Sequence, residues 1–296
     1  MTIKPRNLEK PEQSIIEWFK DCDLNGIYPW EYDLKEEIFM EVPKDDSAVK
    51  RLLSAWAGRY FSQKYNRKES GSWFDVETED CDLMQCVYWV LWGHHSKYAI
   101  VDPEFIDADI MNSFWTPYKK ALKKGKLQPW IARDKSRASY QKNEGDMNEL
   151  LFHFSEEDYK KVNDNFETFA KLTHTIGNCT LVPETFNGSV HNDNKNTWYE
   201  ALDILKDSEL QVTALIESEA NVDDFDNYKE KYFMSDTPVR YADKDHPDKD
   251  YLDKVTPLIE ARGKKMTEML CKKLMEENAI LETDLAKFKF YSVLKK

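Results

Sequence analysis

Four residues close together in sequence have the types that hold zinc: Cys81, Cys86, His94 and His95. Cysteines five positions apart on a helix point about 140° away from one another at 100° per residue, so they do not converge on one ion. The alternative reading packs both thiols inside a buried helix that His94 and His95 cap. Carboxylates recur as Asp80 and Asp82, Asp107 and Asp109, Asp224 and Asp226, and Asp243 and Asp245. Such pairs can hold a divalent cation beside a phosphate, but in so acidic a chain most are expected to face solvent. Several other chemistries are excluded by residue type. The nine glycines never fall into a Gly-x-Gly turn, which removes the dinucleotide fingerprint and the phosphate-cradling loop. Neither a Gly-x-Ser-x-Gly elbow nor a His-Glu-x-x-His helix occurs. No catalytic set, metal-ligand set or cofactor-binding residues are therefore expected, no cofactor is expected, and no binding residues are assigned.

The most distinctive stretch is His174-Thr-Ile-Gly177-Asn178-Cys-Thr180-Leu181-Val-Pro183, followed by Asn187 and by Val190-His191-Asn192. It resembles the His-x-Ile-Gly-Asn-Leu-Thr-Leu segment in the HNH-like nuclease domain of GmrSD-type restriction enzymes. Val255–Leu274, with Glu260-Ala-Arg262-Gly263 inside it, is similar to that family's arginine-containing closing helix. The resemblance implies a metal held by His, Asp or Asn, and a histidine base in an acidic-His-Ile-x-Pro motif upstream. This chain departs from that pattern. His153, in Leu151-Phe152-His153-Phe154, lacks both the preceding acid and the following proline. Asn196-Thr-Trp198-Tyr199 stands where the family carries Asn-x-x-Phe-x-x-Lys. A divergent nuclease would use His174, Asn187 and His191. The favoured reading is a retained scaffold, in which Gly177 makes a turn needing positive φ and Asn178 and Asn187 satisfy backbone groups around it.

Helical periodicity dominates the elements that must position these residues. Pro11–Asp21 reads as an amphipathic helix with Ile15, Ile16, Trp18 and Phe19 inward. Asp45-Asp46-Ser47 caps a helix through about Phe61, and Gly71-Ser72 breaks the pattern. Cys81–Trp92 is apolar nearly all round and reads as a buried helix ended by Gly93. Tyr98–Val101 is strand-like, and Pro103 is expected to open a helix through about Lys124. Gly125–Asp146 reads as a linker, Ser155–Thr173 as a helix, Ile176–Val182 as an extended piece, and Asn196–Lys206 as a helix. A loop tract is expected over about Ser235–Asp250. After it come a helix over Val255–Glu277, interrupted by Gly263, and an amphipathic segment over Thr283–Leu294. The class is α+β and helix-rich, with small β elements. Two lobes are expected: residues 1–145, rich in helix, and residues 146–296, α+β with the degenerate HNH-like segment.

Composition bounds the function. A chain of 35.0 kDa with 41% hydrophobic and 13% aromatic residues builds a core without staples. Its 55 acidic and 42 basic side chains leave a net charge of -13, which argues against general nucleic-acid binding. Five widely spaced cysteines suggest reduced thiols, with an intermolecular disulfide from the odd one as the alternative. No apolar run reaches the length of a membrane span, and residues 1–10 lack a signal peptide's apolar segment. A bacterial host cytoplasm is the expected location.

Residues 69–109 are acidic, carrying Glu79, Asp80, Asp82, Asp107 and Asp109 among others against Lys97 alone. The following stretch is basic, from Lys119 to Lys142. These blocks read either as solvated faces or as patches that steer a charged partner. Trp30, Trp73, Trp115 and Trp130 read as exposed aromatics able to anchor an interface. In size, acidity and lack of a catalytic motif the chain resembles phage-encoded anti-defence proteins, in particular inhibitors of the Gabija system. That resemblance implies several self-associated copies around a defence nuclease–helicase complex, blocking its DNA binding and cleavage without contacting nucleic acid or membrane themselves. The alternatives are the divergent nuclease and a structural or assembly protein.

Overall fold

Pro11 opens α1 (Pro11–Asn25), where a proline at the first helical position sacrifices no hydrogen bond. Gly26, at φ 66°, closes it four residues beyond the expected end. The Ile27 N–H returns to the Cys22 carbonyl (2.9 Å) and the Gly26 N–H to that of Asp23 (3.2 Å), capping the last turn. Ile15, Ile16, Trp18, Phe19 and Cys22 form its buried face.

The computed structural model describes residues 6–34, 37, 67–69, 72–74, 78–96, 99, 106–112, 172–183, 225–234 and 249–296. Within them the fold is α+β and helix-rich. A short antiparallel pair, β1 (Arg67–Glu69) and β2 (Ser72–Phe74), stands where Gly71-Ser72 breaks the helical pattern. A 3-10 turn over Thr78–Asp80 leads into α2 (Asp82–Trp92), buried on almost every side and ended by Gly93 at φ 75°. The second antiparallel pair joins β3 (Ile106–Ile110) to β4 (Cys179–Pro183), with Ala108 opposite Leu181. α3 (Phe225–Lys231), α4 (Lys249–Glu276), α5 (Glu282–Leu285) and α6 (Lys289–Leu294) complete the described elements.

Three expectations change. Pro103 does not begin a helix across residues 106–110: this segment is β3, its five residues paired one by one with β4. Gly263 does not interrupt α4, which runs unbroken from Lys249 to Glu276. The helix expected from Val255 begins at Lys249, inside the tract expected as loop to about Asp250. The amphipathic segment over Thr283–Leu294 consists of two short helices, separated where the Phe288 N–H bonds the Leu285 carbonyl (3.0 Å). The segments expected as helices over 45–61 and 196–206 and the linker over 125–146 lie outside the described residues, as do all but Leu172 and Thr173 of the helix expected over 155–173 and most of the strand-like piece 98–101.

One hydrophobic cluster joins residues from both expected lobes: Trp18 and Phe19 of α1, Met84 and Val87 of α2, Ile106 of β3, Leu181 of β4, and Met266 and Leu270 of α4. Among the described residues no helix is long and apolar enough to cross a membrane.

Candidate functional site

Ile176–Asn178 form a single 3-10 turn immediately before β4, and α4 lies across it. This contact, and not the backbone angle, requires position 177 to be small. Its φ is not in the left-handed region, contrary to the expectation of a positive-φ turn. A Cβ there would stand 2.1 Å from the Ile259 carbonyl oxygen and 2.8 Å from the Gly263 nitrogen. Gly263 is the matching gap in α4, where a Cβ would stand 2.9 Å from that of Trp30. Two glycines far apart in sequence thus let a helix and a turn meet backbone to backbone.

That approach delivers Arg262. Its guanidinium is buried and donates from Nη1 to the carbonyls of Gly177 (2.9 Å) and Cys179 (2.7 Å), and from Nε to that of Tyr232 (3.0 Å). The two segments that carry the HNH-like resemblance therefore touch, and they do so through an arginine holding main-chain oxygens.

Asn178 is fully buried and works in the same way. Its Oδ1 accepts from the Asn112 N–H (3.0 Å) and from Asn112 Nδ2 (3.1 Å). Its Nδ2 donates to the carbonyls of Asn112 (3.0 Å) and Thr173 (2.7 Å). Both amide protons and the amide oxygen are thereby occupied. Its main-chain carbonyl accepts from the Met111 N–H (2.7 Å), continuing the β3–β4 ladder by one bond.

His174 lies one turn before, 4% exposed. Its Nδ1 is 2.7 Å from Thr78 Oγ1, and that hydroxyl donates to Glu79 Oε2 at 3.0 Å. A hydroxyl has one proton, so with Glu79 accepting it, Nδ1 of His174 is the protonated nitrogen that donates to Thr78. The result is a carboxylate–hydroxyl–imidazole chain inside the protein. Beside it, Ser96 Oγ donates to Asp80 Oδ1 (2.7 Å), while Gln85 donates to that same hydroxyl (2.7 Å) and accepts from the Ser96 N–H (2.9 Å). Tyr88 Oη donates to the Glu79 carbonyl (2.9 Å), and Tyr228 Oη to that of Leu181 (3.0 Å). Burial holds both phenols, and the Cys179 thiol, well above their ordinary pKa values.

The acidic stretch is accordingly not a solvated face throughout. Glu79, Asp80, Asp82 and Asp107 are buried, and the hydroxyls of Thr78 and Ser96 and the Ala108 main-chain N–H supply Glu79, Asp80 and Asp107 with the hydrogen bonds that burial of a polar group demands. Asp107 and Asp109 each accept from the following main-chain N–H, at 3.1 and 2.8 Å.

The zinc-type residues part company. Cys81 precedes α2, and Cys86 faces α1, its Sγ 3.9 Å from the Asn7 carbonyl. His95 stacks on Trp89, with ring centroids 4.8 Å apart. Among the described residues no group of three or more His, Cys, Asp or Glu is arranged to hold a metal ion.

Trp30, expected at the surface, is 1% exposed; Tyr28 stacks on it and Lys264 lies over its ring. Trp73 belongs to β2, while Trp115, Trp130, His153, Asn187 and His191 lie outside the described residues. Sequence reasoning did not single out Thr78, Gln85, Ser96 or Asn112. Nothing in their types or spacing distinguishes them from ordinary polar residues; only the fold brings them to His174, Asp80 and Asn178.

The chain matches no family model, and comparisons with curated proteins and with solved structures find no match.

Proposed function

We propose that the chain acts without catalysis, by binding another protein, and that its partner is a bacterial anti-phage defence nuclease complex whose DNA binding and cleavage it blocks. The observation that carries this reading is the internal use of the HNH-like segment. Asn178 and Arg262 bond main-chain groups of the turn and its neighbours, which is the work of a brace. A net charge of -13 supports the choice of partner: it opposes association with DNA and complements a surface built to attract phosphates. The Gabija nuclease–helicase is the complex to try first, with several copies of this chain gathered around it.

The test mixes the purified chain with that complex and follows size-exclusion chromatography with light scattering alongside cleavage of a DNA substrate. A stoichiometric assembly with lost cleavage supports the proposal; separate elution with cleavage unchanged overturns it for that target.

The second reading, a divergent metal-dependent nuclease, has one observation in its favour. The Glu79–Thr78–His174 chain orients an imidazole in the way a general base requires. DNA cleavage by the chain alone, dependent on Mg²⁺ and lost in His174→Ala, would establish it.

A further inference from the structure

We draw no further inference here: the strongest candidate, the 490 Å³ groove between α1 and the α4–α6 segment, lined by Ile16, Ile280, Leu281 and Phe288 together with Lys20, Asp284 and Lys287, is a surface patch of mixed polarity, and nothing in the structure shows what covers it.

Discussion

Asn178 makes two kinds of bond at once, and its variants separate them. Asn178→Ala leaves Asn112 donors and the Asn112 and Thr173 carbonyls buried without their partner, a loss of about 3 kcal/mol. Asn178→Asp keeps the acceptor but turns a second oxygen toward those two carbonyls. A carboxyl so placed is held above its ordinary pKa, because only its protonated form can donate to them. Its folded-state pKa exceeds the unfolded one, so stability is greatest at low pH and is lost as pH rises through the folded value. Urea midpoints of this variant relative to the unsubstituted protein should therefore improve on going from pH 7 toward pH 5; a deficit independent of pH would contradict the assigned donors. The two glycines rank in the same way. Gly177→Ala drives a methyl into the main chain of α4 and should cost about 3 kcal/mol. Gly263→Ala crowds the Trp30 Cβ at 2.9 Å, touches Gly177 Cα and N only at an ordinary 3.5 Å, and recovers about 1 kcal/mol of helix propensity, so its urea midpoint should fall less. Equal losses would mean that the helix and turn do not meet as described.

At the scale of elements, α4 is the part that organises the rest: one helix covers the Ile176–Asn178 turn, the Pro29–Glu31 turn and α2. Its contact with the Pro29–Glu31 turn has an electrostatic signature. Glu31 is held above the usual glutamate range, first by desolvation and then by repulsion from Glu260 on α4. A raised folded-state carboxyl pKa destabilises the protein once the group ionises. Glu31→Gln should therefore raise the urea midpoint at pH 7, with the gain shrinking as pH falls to about 3.5, below the ordinary glutamate value. A gain that persists unchanged at low pH would mean that the charge is not its source.

The helices were the legible part of the fold. α1 and α2 declare themselves by apolar spacing and by glycines at their ends, and Gly26 and Gly93 take up the left-handed conformation that ends them. β3 was not legible. Ile106-Asp-Ala-Asp-Ile110 does alternate apolar and polar over five residues, but the preceding proline signals a helix start as readily as a loop and drew the reading the other way. Its identity is fixed by pairing with a strand from the far side of the chain. Trp30 misled because a tryptophan beside Tyr28 and Pro29 carries no local sign of the helix that covers it. At the candidate site, Gly177 and Asn178 stood out in the sequence. The reason for the glycine did not, since close approach and positive φ demand the same residue.

At the scale of the whole molecule, the described residues around β4 bury polar side chains together with thiols. All five cysteines are buried thiols outside any disulfide, and burial pushes Cys86 and Cys271 up to about 12. Thiolate is the reactive form, so the native protein at pH 8 should react negligibly with a disulfide reagent over minutes and yield all five thiols in denaturant. Rapid reaction of any one in the native state would place it at the surface. The net charge of -13 is the whole-molecule property on which the proposed choice of a DNA-handling partner rests.

DNA cleavage assayed in parallel for the chain alone with Mg²⁺ or Mn²⁺, for the Gabija nuclease–helicase alone, and for the two together tests that claim most directly. The account predicts no cutting by the chain, cutting by the complex, and loss of cutting when they are mixed in stoichiometric amounts. Metal-dependent cutting by the chain itself, abolished in His174→Ala with the urea midpoint unchanged, would contradict it.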